Sequence, residues 1–310
     1  MTDVADVTRG RAWLMAARPH TLPAAVSPVL VGSGLAVHDG VFAPLVAVAA
    51  LLGAALIQIG TNFANDYYDA QKGADTDERE GFTRVTQTGL IAPRTVWTAT
   101  YATFGLAILV GVYLVWVGGL PVVAIGLASV AAGLLYTGGP YPYGYRGLGD
   151  LFVFVFFGVV AVTGTYYVQA ASAVAGVPLG LTPGTVTLDA VVASLPMAGL
   201  ITDILVVNNV RDMETDRKAG KRTLAVYLGY RGSRVQFVLL LLLAYAVPLW
   251  FLAAGYGPAV LLPLLTLPVA AALTRTMLTE TSGEALNPAL SRTGRLAAAY
   301  AALFAVGLAV

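Results

Sequence analysis

Residues 41–60 read VFAPLVAVAALLGAALIQIG, twenty positions without a charge, and they run straight into TNFANDYYDAQKGADTD at 61–77. An α-helix needs about 20 apolar residues to cross the hydrocarbon of a bilayer. The first stretch therefore reads as a membrane span and the second as its polar end. Similar apolar runs recur near 96–117, 151–174, 235–254 and 296–310. Of the 310 residues, 57% are hydrophobic and 11% charged, under half the ~25% charge of an ordinary soluble domain. Too little polar surface remains to cover such a core in water. The expected fold is all-α, a polytopic membrane protein with about nine transmembrane helices in one bundle around a central cavity. Their centres fall near Val29, Leu52, Leu106, Ile125, Phe157, Pro196, Leu243, Leu264 and Ala301.

The basic residues test that count. Threading the spans from a cytoplasmic N-terminus puts Arg9, Arg11 and Arg18 inside, followed by Lys72, Arg79, Arg84, Arg94 and Arg146. The cluster from Arg211 to Arg234 comes next, and then Arg275, Arg292 and Arg295. All 18 lysines and arginines then share one side, as the positive-inside rule predicts for the cytoplasmic face of a cell membrane. Two cytoplasmic loops, about 70–94 and 211–234, are long and densely charged, and such loops commonly carry function. Asp3 and Asp6, with no small-residue cleavage pattern after them, argue against a removed signal peptide. The chain has no cysteine, which excludes disulfides, thiolate catalysis and cysteine-held metals. The organisation expected is a single domain over 1–310, with halves of about 12–150 and 151–310 that each carry an acidic motif.

If the second span continues as helix through Asp69, then Asn62, Asn65, Asp66 and Asp69 stand at i, i+3, i+4 and i+7, on one face. The sixth span ends in NNVRDMETDRKAGKR at 208–222, where Asn208, Asp212 and Asp216 again repeat along one face. Like charges at helical spacing repel, so a divalent cation is the simplest compensation for both faces. Oxygen-only ligation with no His or Cys nearby points to a hard ion such as Mg²⁺, commonly held by a few carboxylates together with substrate phosphates. Lys72, Arg79, Arg84, Lys221 and Arg222 supply charge-assisted contacts to the same anion. The blander reading is a solvated, ion-paired interfacial loop. Asp203 lies nearly three turns inside the sixth span, where an ionisable group is costly and marks function, unless it pairs with Gln58 or Thr163.

These residues resemble the membrane-embedded aromatic prenyltransferases of the UbiA type, with motifs of the form NDxxDxxxD and DxxxD. ARPHTLPAA at 17–25, YTGGP at 136–140, YRGLGD at 145–150, FFG at 156–158, NNVRD at 208–212 and GKRTLA at 220–225 are similar to the 1,4-dihydroxy-2-naphthoate branch of menaquinone synthesis. The resemblance implies that Asn65, Asp66 and Asp69 bind one pole of an Mg²⁺–diphosphate pair and that Asp212 and Asp216 bind the other. It departs in the first motif, where the third acid, Asp75, follows Asp69 by six residues, so that Asp75, Asp77 or neither joins the metal. Catalysis by Asp66, Asp69, Asp212 and Asp216 is implied, with loss of diphosphate and then of CO₂ from the ring. Substrate contacts are expected from Asn62, Asn65, Lys72, Arg79, Arg84, Tyr136, Arg146, Asn208, Arg211 and Lys221.

Tyr136 and Tyr68 are candidate aromatic faces for an allylic cation, against a role in packing. Arg18, Arg146 and Arg211 are candidate partners for a ring carboxylate, against a role as positive-inside anchors, and His20 is a candidate proton acceptor, against the structural role usual for a lone interfacial His beside a proline. The implied partners are polyprenyl diphosphate, dihydroxynaphthoate and the lipid bilayer, with no nucleic acid; the oligomeric state stays open. Rival readings are a UbiA-type enzyme with a hydroxybenzoate, chlorin, haem or glycerol-phosphate lipid acceptor, and a cation transporter. A transporter needs a polar path across the bilayer, and apart from Asp203 the acids of the two motifs sit at one face.

Overall fold

Prolines set where several helices begin, since a proline at the first turn gives up an amide that has no partner there. The computed structural model describes residues 7–71, 84–174 and 176–310. Helix α1 (Arg9–Ala17) ends at Arg18, whose φ of 51° turns the chain into α2 (Pro23–His38), bent 46° from the preceding segment. There follow α3 (Pro44–Gln71), α4 (Pro93–Gly118), α5 (Leu120–Leu135) and α6 (Gly149–Ala171). The second half holds α7 (Leu188–Arg211), the short α8 (Met213–Lys218), α9 (Leu224–Ala253), α10 (Pro258–Thr279) and α11 (Gly283–Ala309).

Each of the nine expected centres falls inside one of these helices. Length and apolarity alone qualify six of them to cross a membrane, or seven if the bent pair of α1 and α2 counts as one span. The 16-residue α5 is about 24 Å long, short of the ~30 Å hydrocarbon layer. The first half of α11 carries Glu284, Arg292 and Arg295. α3 behaves oppositely: its 28 residues extend about 42 Å, so its last two turns, with the acidic motif, overrun the hydrocarbon.

α7 is the central post, with 72% of its apolar window buried against 17–33% for the other qualifying helices. Small residues make this possible. A Cβ on Gly158 would stand 2.2 Å from the Cα of Ala198, so α6 and α7 touch backbone to backbone, as helices in lipid do when side-chain bulk is absent. The main apolar core joins residues of α2, α6, α7, α9, α10 and α11 around it. α6 carries a π-helical segment at Phe154–Val160, a distortion often found at functional sites. Leu109, Trp116, Leu239 and Leu242 are exposed on the flanks, where lipid is their natural solvent.

The two ends of the bundle differ in chemistry. At one end Arg211 of α7 reaches Asn287 of α11, Arg234 of α9 donates to the Met277 carbonyl of α10, and Arg222 bridges backbone to backbone with Arg146. At the other, Tyr166 donates to Asp39 and Tyr256 to Asp189. Every described lysine and arginine lies in or near the segments of the first end, the sidedness expected from the sequence.

Candidate active site

Because α3 stays helical through Gln71, its polar residues do share a face, and that face meets the turn between α1 and α2. Asn62 donates to the Ala17 carbonyl and to Thr21 Oγ1, both at 2.9 Å, and Gln58 Nε2 donates to the same hydroxyl at 2.9 Å. Asn65 accepts from Thr137 Oγ1 at 2.9 Å. Asp66 is almost fully buried, and its two oxygens accept the backbone amides of Val85 (3.2 Å) and Thr86 (3.0 Å), with Arg18 Nη2 at 4.0 Å. Asp69 accepts from Arg84 Nη2 and from the Tyr145 hydroxyl, each at 2.5 Å.

The second motif departs from the single continuous helix face expected for it. α7 stops at Arg211, Asp212 takes φ −89° and ψ 5°, and α8 restarts at Met213. The break costs little alignment, since Asp212 N still bonds the Asn208 carbonyl and Asp216 N the Asp212 carbonyl. What it adds is room for Arg211 to fold onto its neighbour. The guanidinium grips both Asp212 oxygens at 2.7 Å and reaches Asn208 and Asn287 at 2.9 Å. Such bidentate, charge-assisted pairs are the strong ones. Asp216 pairs with Lys221 Nζ at 3.5 Å.

Tyr145 joins the two motifs. Its hydroxyl is bound to Asp69, Lys221 Nζ lies 5.1 Å from its ring centroid, and its carbonyl accepts the Arg222 amide. Burial first, then the Asp69 carboxylate and Asp216, push the Tyr145 hydroxyl far above the ordinary tyrosine range, so it stays a proton donor. A cavity of about 690 Å³ opens beside this junction. Its polar end is lined by Arg18, His20, Asn62, Asn65, Asp69, Arg84, Tyr136, Asn208, Arg211 and Lys221. Its walls continue along α4, α5 and α6 through Ile108, Val112, Val123, Leu127, Phe156 and Phe157. An anion with a long apolar tail matches that division into a polar end and apolar walls.

Several expected residues stand elsewhere. Asp66, Asp212 and Asp216 are buried just behind the lining rather than in it. Arg146 is exposed, its guanidinium 3.8 Å from the Tyr141 ring centroid, because its backbone is committed to Arg222 and its side chain leaves the bundle. Tyr68 is held in a ring cluster with Tyr67 and Trp97 against α4, away from the cavity. Asp203 pairs with neither expected partner: Gln58 bonds Thr21, Thr163 bonds the Val159 carbonyl, and both Asp203 oxygens lack a donor among the described residues. Lys72, Asp75, Asp77 and Arg79 lie outside the described residues. Sequence reasoning missed Tyr145, Thr137 and Asn287 as contributors; Tyr145 and Thr137 left a signal, in the YRGLGD and YTGGP stretches, and Asn287 left none.

The donors fit a hard cation only in a specific way. They are all oxygens, but among the described residues no three carboxylates or imidazoles converge. The described residues alone thus offer one or two carboxylates at a time, a set that phosphate oxygens would complete, which is the usual habit of Mg²⁺.

Comparison with known proteins adds three findings. The sequence profile described as the UbiA prenyltransferase family matches residues 25–308. The 1,4-dihydroxy-2-naphthoate octaprenyltransferases of Mycobacterium tuberculosis and Escherichia coli are 38% and 37% identical to the chain over 299 and 314 residues. These alignments cover 96% and 98% of this chain and 96% of each relative. A UbiA homolog from Archaeoglobus fulgidus, solved bound to DMAPP and Mg²⁺, superposes with a TM-score of 0.60 at 18% identity, over 95% of this chain and 99% of that one, a likeness of fold.

Proposed function

The chain belongs to the UbiA prenyltransferase family, and from that premise we propose that it transfers a polyprenyl group from polyprenyl diphosphate to 1,4-dihydroxy-2-naphthoate in menaquinone biosynthesis. The observation that carries this reading is the cavity itself, a charged mouth lined by Asn65 and Asp69 of the first motif and by Asn208, Arg211 and Lys221 around the second, which leads into an apolar barrel. The two naphthoate relatives supply the choice of acceptor. The bundle sits in the cell membrane with the N-terminus and the charged end cytoplasmic, as the one-sided lysines and arginines favour, and all nine helices that bear the expected centres cross it.

Magnesium, held by Asp66 and Asp69 on one side and Asp212 and Asp216 on the other, with Asp75 a candidate from the first motif, would supply Lewis-acid stabilisation of the leaving diphosphate. The chain's own residues do the rest. Arg84, Arg211 and Lys221 line the mouth with fixed positive charge, which stabilises negative charge as the C–O bond of the donor breaks. Asn65 and Asn208 present amides to the same anion. The Tyr145 hydroxyl keeps Asp69 turned toward Arg84. The apolar walls hold water away from the allylic cation, and Tyr136 offers a ring face, worth about 0.5–2 kcal/mol to a cation within ~6 Å. The electron-rich naphthoate ring then attacks, and its carboxylate leaves as CO₂. The donor tail remains in hydrocarbon because each CH₂ gains about 0.8 kcal/mol there.

The test is direct. Membranes containing the protein, given polyprenyl diphosphate and dihydroxynaphthoate, form prenylated product with Mg²⁺ and none with a chelator. Product formed equally in both, or formed only from a different aromatic acceptor, rejects the proposal.

A further inference from the structure

Gln58 is the single amide in the apolar run 41–60, and it lines the cavity one turn deeper than Asn62. At 1.5 Å per residue it stands about 10 Å further in than Asn65. The side chain is 93% buried, at 7% relative exposure. Its Nε2 is fully occupied, donating to Thr21 Oγ1 at 2.9 Å and to Asn62 Oδ1 at 3.4 Å. Thr21 in turn donates to the Arg18 carbonyl at 2.9 Å, and Asn62 donates to Thr21. This chain of donors fixes which way round the amide stands. The outcome is that Gln58 Oε1, a pure acceptor, has no donor among the described residues. Thr61 Oγ1, three residues on and also in the cavity lining, is likewise without a partner.

A buried acceptor without a donor is costly, and native structures keep one only for a reason. Resting on the function proposed above, the two substrates can be sorted by what each could offer it. A prenyl tail has no donor at all, and a diphosphate at the mouth presents mainly acceptor oxygens. The acceptor brings the donors, as the hydroxyls on its aromatic ring. We propose that Gln58 is an acceptor-positioning residue, its Oε1 taking a hydrogen bond from one phenolic hydroxyl of the naphthoate. Arg18 lines the same cavity nearer its mouth, its guanidinium 4.0 Å from Asp66, which places positive charge within the cavity for the ring carboxylate. The contact orients the ring within the barrel and discriminates against rings that lack the hydroxyl, as sites built around a substrate OH do.

The test measures competitive inhibition constants of 1-hydroxy-2-naphthoate and 4-hydroxy-2-naphthoate against dihydroxynaphthoate, so that affinity is read apart from ring reactivity. In the wild type one analogue should bind about 10- to 100-fold more weakly than the other, the cost of one buried hydrogen bond left unmade. Gln58→Leu should close that gap to within twofold while the KM for polyprenyl diphosphate stays within twofold. Gln58→Glu keeps an acceptor oxygen and loses the Nε2 donors, and it should retain the gap; a role confined to the Thr21 and Asn62 bonds would make it behave like Gln58→Leu. Equal binding of both analogues by the wild type overturns the proposal without any variant. So does a gap that survives Gln58→Leu, or one lost in Gln58→Glu. Failure of the acceptor assignment itself reads differently: wild-type membranes then give no product from dihydroxynaphthoate.

Discussion

Removing the Asp69 carboxylate should separate the stability of the site from its activity. Asp69 and Arg84 are both at least 95% buried, and their contact is a 2.5 Å charge-assisted bond reinforced by the Tyr145 hydroxyl. Asp69→Ala takes the carboxylate away from a buried guanidinium, and breaking one side of a buried pair costs about 3–5 kcal/mol. Replacing both partners by apolar groups leaves no stranded charge and is often close to neutral. The double variant Asp69→Leu, Arg84→Met should therefore recover most of the loss, to within ~1.5 kcal/mol of wild type, the remainder being the lost Tyr145–Asp69 hydrogen bond. Neither variant should transfer prenyl groups, since the double variant lacks both a carboxylate and a mouth cation. Reversible unfolding in mixed micelles gives the free energies, and product formation in proteoliposomes gives the activity. A double variant no more stable than Asp69→Ala would refute the buried-pair argument, and a double variant that still turns over would refute the catalytic one.

Asp212→Ala is expected to insert normally and to lose at least about a hundredfold in turnover, the scale for removing one preorganised charge contact; near-normal rates with intact membrane insertion would contradict it. Lys221→Ala should raise the KM for polyprenyl diphosphate about tenfold, roughly 1.4 kcal/mol, and leave that for dihydroxynaphthoate within twofold, so equal changes in both would remove Lys221 from the diphosphate pole. The Tyr145 hydroxyl is raised in the folded state by burial and Asp69, so its contribution is intact below the unfolded value of about 10 and declines as pH rises beyond it. Tyr145→Phe should accordingly lose stability at pH 7–9 and show a shallower alkaline decline than wild type; superimposable pH curves would argue against the Asp69 bond.

The first acidic face was legible because α3 is a regular helix and periodicity alone aligns Asn62, Asn65 and Asp69. The second was legible in residue type but not in detail, since nothing local announces that the helix breaks at Asp212 so that Arg211 can fold back and hold it. Asp203 was visible as an anomaly, but its expected partners were taken by closer neighbours, Gln58 by Thr21 and Thr163 by its own helix. Arg146 matched in sequence and failed in place, because its backbone is what the fold uses.

By itself the sequence determined that the chain lives in lipid, where its apolar spans are centred, and that its basic residues and the acids of its two motifs gather at one face. Those properties depend on composition and on spacings of a few residues. Only the tertiary structure decided which acids reach the cavity and which are held behind it by backbone amides or guanidinium groups. It alone showed that Tyr145 lies 76 residues from Asp69 in the chain and one hydrogen bond away in space. Contacts of that kind are fixed by how whole helices pack around α7, and no local pattern encodes them.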